Sequence, residues 1–175
     1  MAEKIKHSAS GLNLQFISAE ENEFLAKETC IMITSGVSHS KFEFISGHFG
    51  PLEAGLPCQV PLWFALQLRR NGKCIIEIPE WLGVDHLKAL IEEQKTAHFV
   101  EIPFYYVEIA QLLLSYAKDD FESPEQTRSL VEDLFNLRMD SMRNGLLELK
   151  SKDINALSYV ILRNVAAAEL LCIRG

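Results

Sequence analysis

Cysteine, catalytic motifs, basic charge and long apolar runs are what this 175-residue chain has least of. Its four cysteines, Cys30, Cys58, Cys74 and Cys172, form no C-x-x-C pair. That spacing offers no zinc site, and so sparse a set is no disulfide framework. Cys30 and Cys74 lie in apolar runs, where cysteine behaves as a small hydrophobe, and are expected to be buried free thiols. No stretch of 18 apolar residues occurs, so no membrane-spanning helix and no membrane partner are expected. The opening residues carry Lys4, Lys6 and His7 without an apolar core, so they do not read as a signal peptide. The expected compartment is cytosol or nucleus.

The phosphate-cradling loops G-x-x-x-x-G-K-[ST] and G-x-G-x-x-G are absent. So is the G-x-S-x-G nucleophile elbow. His7, His39, His48, His86 and His98 are scattered, with no pair at i and i+4 to hold a metal. No cofactor is expected. The formal net charge is -7, and both 1–62 and 63–175 carry more carboxylates than cations. That balance lacks the cationic surface that drives phosphate binding, so no direct sequence-specific contact with nucleic acid is expected.

What is present is a core-forming chain, 48% hydrophobic. A chain of this length can bury roughly 70% of its unfolded surface. Residues 1–17 read as a loose polar arm. Ser18 and Glu21 fit an S-x-x-E capping box for a helix over 18–27, with Phe24 and Leu25 as its apolar anchors. Strands are expected at 30–34 and 41–46, paired as a β-hairpin across Gly36 and Ser38. The segment 47–61 holds Gly47, Gly50, Pro51, Gly55, Pro57 and Pro61, and reads as a shaped connection rather than a regular element.

A helix then opens at Pro61 and runs over 62–70, with Gly72 at C′. A strand follows at 74–78. Beyond Trp81 the pattern is helical, at 84–96, 104–117, 124–149 and 153–173. Ser123, Pro124 and Gln126 form the clearest start signal. In the helix they open, Leu130, Leu134, Leu137 and Ser141 form one stripe, with Val131 and Phe135 beside it. The fold class is mainly α with a small β-rich N-terminal domain (α+β) and a C-terminal helical bundle. The expected division is an arm at 1–17, a small β-containing domain at 18–62 and a helical domain at 63–175.

The carboxylate pairs Glu20 and Glu21, Glu92 and Glu93, and Asp119 and Asp120 are read as solvated charge, because neighbours on a helix point about 100° apart. The aromatic run Phe104, Tyr105 and Tyr106 is a candidate for core packing or a subunit contact. It lacks interleaved cations, and Glu101 and Glu108 flank it, which argues against a nucleic-acid stacking platform. Trp63 and Trp81 read as structural anchors.

The run GHFGPLEAGLPCQVPLWFALQLRRNGKCIIEIPEWL, 47–82, resembles the second subunit of GINS, a complex of eukaryotic replication. The signature elements are Gly50-Pro51, Gly55-Leu56-Pro57, Val60-Pro61-Leu62-Trp63 and Pro79-Glu80-Trp81. Glu23-Phe24-Leu25-Ala26, Pro103-Phe104-Tyr105-Tyr106, Leu112-Leu113-Leu114 and Arg128-Ser129-Leu130-Val131-Glu132-Asp133 extend the likeness over about 20–175. The arm is longer than such a family implies, and the chain ends soon after its final helix.

The resemblance implies a subunit without an active site, joined to three sibling GINS subunits in a heterotetramer. It further implies that this tetramer engages the minichromosome-maintenance helicase ring and a RecJ-like co-activator in the nucleus. Two other classes stay open: a helical adaptor, such as the archaeal two-subunit relative, and a small acid-base enzyme. The enzyme would need two facing carboxylates in a deep pocket near 104–108.

Overall fold

The computed structural model describes residues 18–45, 47–96, 99–151 and 163–174. The expected arm at 1–17 and much of the expected helix at 153–173 lie outside the described residues. Helix α1 spans Ala19–Ala26 and is closed by the expected capping box: Glu21 N–H donates to Ser18 Oγ, and Ser18 N–H to the Glu21 carboxylate. Its anchoring differs from expectation. Phe24 is 64% exposed and Leu25 is also exposed, whereas Asn22 and Ala26 are buried. The helix packs on α4 and α6 through its small face, which turns the large residues outward.

Strand β1, Cys30–Ser35, does not pair with β2, Phe42–Phe44, as the expected hairpin required. It lies in the middle of a three-stranded antiparallel sheet of order β4-β1-β5. Its neighbours are β4, Pro57–Pro61, and β5, Cys74–Ile76, with Ile31 opposite Val60 and Ile33 opposite Ile76. Ile31, Ile33 and Ser35 point into the core, while Cys30, Met32 and Thr34 face outward. Only Cys74 of the two expected buried thiols is buried; Cys30 falls on the outer face and is exposed.

The segment 47–61 is therefore more regular than its composition indicates. It contains β3, Gly47–Phe49, paired with β2, and the whole of β4. Pro57 and Pro61 end an edge strand, where a missing N–H removes no central ladder bond. Between the strands, Leu52 is 1% exposed and exchanges two 2.9 Å backbone hydrogen bonds with His39. Gly50 reaches this position at φ +104, where a side chain would also approach Leu52 N at 3.2 Å.

Helix α2, Leu62–Arg70, starts one residue after Pro61, which takes the N-cap position. Gly72 is the C′ residue at φ +66, its N–H bonded to Arg69 O. Trp63 and Phe64 hold the β2–β3 hairpin on the start of this helix. Phe44 meets Trp63 edge-on at 5.1 Å, and Phe42 meets Phe64 edge-on at 5.0 Å.

The helical part contains α3, Val84–Thr96, α4, Tyr106–Tyr116, α5, Pro124–Ser151, and α6, Ala167–Arg174. On α5 the buried residues are Thr127, Val131, Leu134, Arg138, Met139 and Met142. That stripe is rotated from the expected one, since Leu130, Leu137 and Ser141 are only half-buried. The expected last helix is also interrupted. Residues 163–166 are non-helical, Asn164 has φ +55, and α6 begins only at Ala167.

Asp120 ties the sheet to the helices. Its carboxylate, 6% exposed, accepts from Arg69 Nε at 2.8 Å and from Ile76 N–H at 3.0 Å. The solvated reading of Asp120 fails for that reason; Asp119 is the solvated member, with its side chain 93% exposed. Cys74 packs nearby, where burial and then the charge of Asp120 push its thiol up to about 11.

Candidate protein interface

Two features of the helical part carry buried charge. The first is a clasp around Arg138, whose side chain is 0% exposed. Its five N–H groups all have acceptors. Nε donates to Glu169 Oε1 at 2.6 Å. Nη1 donates to Gln94 Oε1 at 3.0 Å and Val100 O at 3.1 Å. Nη2 donates to Asn164 O and to Glu169 Oε2. The Phe99 ring covers the guanidinium at 4.9 Å.

Glu169 is equally occupied. Besides Arg138 it accepts from Tyr106 Oη at 3.2 Å and from Ala166 N–H at 2.9 Å. Burial, reinforced by the Glu169 charge, holds the Tyr106 phenol far above its ordinary range. The clasp joins α3, α4, α5 and α6, and every polar atom in it has a partner. Nothing in the sequence pattern marked Arg138. A cation on the inward stripe of α5, four positions after Leu134, was the available signal.

The second feature is a groove of about 890 Å³ between α1, α4, α5 and α6. Val107, Leu112, Leu114, Val131, Phe135 and Leu171 supply its apolar walls. Glu108 also lines it, from the first turn of α4, and is 8% exposed. Its Oε2 is buried with no hydrogen-bond partner among the described residues. Burial pushes this carboxyl up, its own backbone N–H offsets part of that, and the charge of Glu169 adds to the rise. Glu169 is taken up by the clasp and does not line the groove, so the two carboxylates do not face each other across it as an acid-base pair.

The aromatic run flagged in the sequence divides here. Tyr106 is fully buried in the clasp, Tyr105 is half-buried, and Phe104 is 47% exposed, stacked edge-on against Tyr105. The signature residues Gly50, Pro51, Gly55, Leu56, Pro57, Val60, Pro61, Leu62 and Trp63 form the path from hairpin to α2. Val60 and Leu62 lie in the core, and Leu56 is exposed. Pro79 precedes the 3₁₀ turn Glu80–Leu82, and Trp81 packs against the core. Among the described residues no cluster of His, Cys, Asp or Glu is arranged to hold a metal, and no helix is long and apolar enough to cross a membrane.

Successive parts of this architecture match two family domains. Residues 81–174 match the GINS complex protein helical bundle domain, which places the chain in the GINS class of helical proteins. Residues 18–77 match the PSF2 N-terminal domain. The chain belongs to the PSF2 family. Among its relatives, the probable DNA replication complex GINS protein PSF2 of Caenorhabditis elegans is 31% identical over 155 residues, covering 87% of this chain and 85% of the relative. The DNA replication complex GINS protein PSF2 of Homo sapiens is 36% identical over 129 residues, covering 73% and 70%. That of Schizosaccharomyces pombe is 30% identical over 158 residues, covering 90% and 83%.

Proposed function

We propose that this chain is a non-catalytic structural subunit of the GINS complex in DNA replication. The observation that carries this reading is the succession of a PSF2 N-terminal match over 18–77 and a GINS helical bundle match over 81–174. The buried charges support it, because Arg138 and Glu169 are consumed in holding four helices together. In this reading the chain joins three sibling subunits in a heterotetramer. The tetramer then engages the minichromosome-maintenance helicase ring and a RecJ-like co-activator, in the nucleus. The small domain 18–62 and the helical domain 63–175 meet at Trp63, and the signature from Gly50 to Trp63, with Pro79 and Trp81, serves as scaffold. Phe104, the exposed member of the aromatic run, would meet a sibling together with the half-buried Tyr105 beside it.

Co-expression with the three sibling subunits of the same organism tests the proposal. The chain alone is expected to be poorly soluble, and the siblings to rescue it into a complex containing one copy of each. A well-behaved monomer that joins none of them would overturn the reading.

A further inference from the structure

We infer that the groove between α1, α4, α5 and α6 receives an amphipathic segment of a partner protein bearing a lysine or arginine that pairs with Glu108. The inference rests on the subunit reading and goes beyond it by naming the partner's chemistry.

Its first support is the contrast between two buried carboxylates on neighbouring helices. Glu169 accepts from Arg138, Tyr106 and Ala166, whereas Glu108 Oε2 has no partner among the described residues. A buried polar atom without a partner is costly, and charge raises that cost. Glu108 therefore weakens the isolated fold unless a donor arrives from outside. The groove it lines is the route by which one can.

The second support is the charge of the rim. Glu20 and Glu23 on α1 and Glu132 on α5 line the same groove, against Arg128 as its one cation among the lining residues. Arg128 lies within 4.0 Å of Glu125 and Glu23 is paired with Lys27 at 2.5 Å, so Glu20 and Glu132 carry the net negative charge of the rim. An anionic partner would meet repulsion here. A wholly apolar partner would seal Glu108 in unpaired, which leaves the penalty in place. A cationic head on an aliphatic stem suits both parts of the site, because the stem packs on Leu112 and Val131 while the head reaches the carboxylate. The walls are apolar enough to hold the flanking side chains of such a segment.

The test uses the full chain with its three siblings. Wild type and Glu108→Gln, carrying different tags, are co-expressed in competition, and their ratio in the purified complex is read by mass spectrometry. The expected result is about tenfold under-representation of Glu108→Gln, the effect of losing one charged hydrogen bond. Its abundance in the lysate should equal or exceed that of wild type, because the substitution removes an unpaired charge. Cys172, exposed and lining the groove, supplies a second reading. Iodoacetamide should spare it in the wild-type complex.

Equal incorporation of the two forms, or unhindered alkylation of Cys172 in the assembled complex, overturns the inference and leaves the subunit reading intact. A fall in the lysate abundance of Glu108→Gln also overturns it, since Glu108 would then serve the fold. Failure of wild type to enter any complex removes both readings.

Discussion

At the scale of single residues, Gly50 shows how a signature position follows from backbone geometry. Its φ of +104 lies where L side chains are strained, and a Cβ there would approach Leu52 N at 3.2 Å. The close approach matters because Leu52 is buried and bridged to His39. Gly50→Val is expected to destabilise the protein by about 1–3 kcal/mol, the usual cost of one residue held in such a region. Hydrogen exchange should show the loss concentrated around His39 and Leu52, with the α3 and α5 amides unchanged. An unaltered melting temperature would count against the geometric account. Asp120 makes a related point. Its neighbour Asp119 is solvated, yet Asp120 is held by Arg69 and the Ile76 N–H, a difference set by one residue's direction in a short turn.

At the scale of elements, α6 depends on a clasp rather than on its own length. Eight residues make a marginal helix in isolation. Here Glu169 is gripped by Arg138, and Ala167 N–H donates to Phe104 O at 2.8 Å. Arg138→Met leaves Glu169 buried without its counter-charge and is expected to cost about 3–5 kcal/mol. Glu169→Leu added to it should recover part of that loss. Recovery should be incomplete, because Val100 O and Asn164 O lose a donor in both variants. Urea unfolding of the two single variants and the double variant measures the coupling. Strictly additive losses would show that the pair does not act as a unit.

At the scale of the whole molecule, Glu108 links pH to stability. Its folded carboxyl titrates above the ordinary value, so the folded chain holds a proton that the unfolded chain has released. Stability contributed in this way is present below the unfolded value of about 4.3 and falls as pH rises through the raised folded value. The charge of Glu169, which lies outside the groove and is met by Arg138, adds to the rise in the Glu108 value. Glu108→Gln removes the slope. It should be more stable than wild type at pH 8 by about 1–3 kcal/mol, with the gap closing toward pH 4. For a chain of this size that corresponds to a melting temperature higher by about 2–4 °C per kcal/mol at pH 8. Differential scanning fluorimetry across that range measures it. A gap that widens on acidification would reverse the assignment.

Local pattern was enough for the class of fold and for the helix starts and stops that depend on neighbouring residues, though not for the expected last helix, since α6 begins only at Ala167. The Ser18 capping box, the Gly72 C′ stop and the Pro124 start depend on bonds within one turn, so residue order determined them without reference to the rest of the chain. The Gly50-to-Trp63 string likewise carried the family. Pairing and direction were decided only in three dimensions. The partners of β1 lie far along the chain, and a proline-bounded strand such as β4 becomes tolerable only once it occupies a sheet edge. Whether a carboxylate is solvated, clasped or left alone in a groove depends on which segments converge on it. Asp120, Glu169 and Glu108 are the same chemistry in the sequence, and the fold gave each a different set of neighbours.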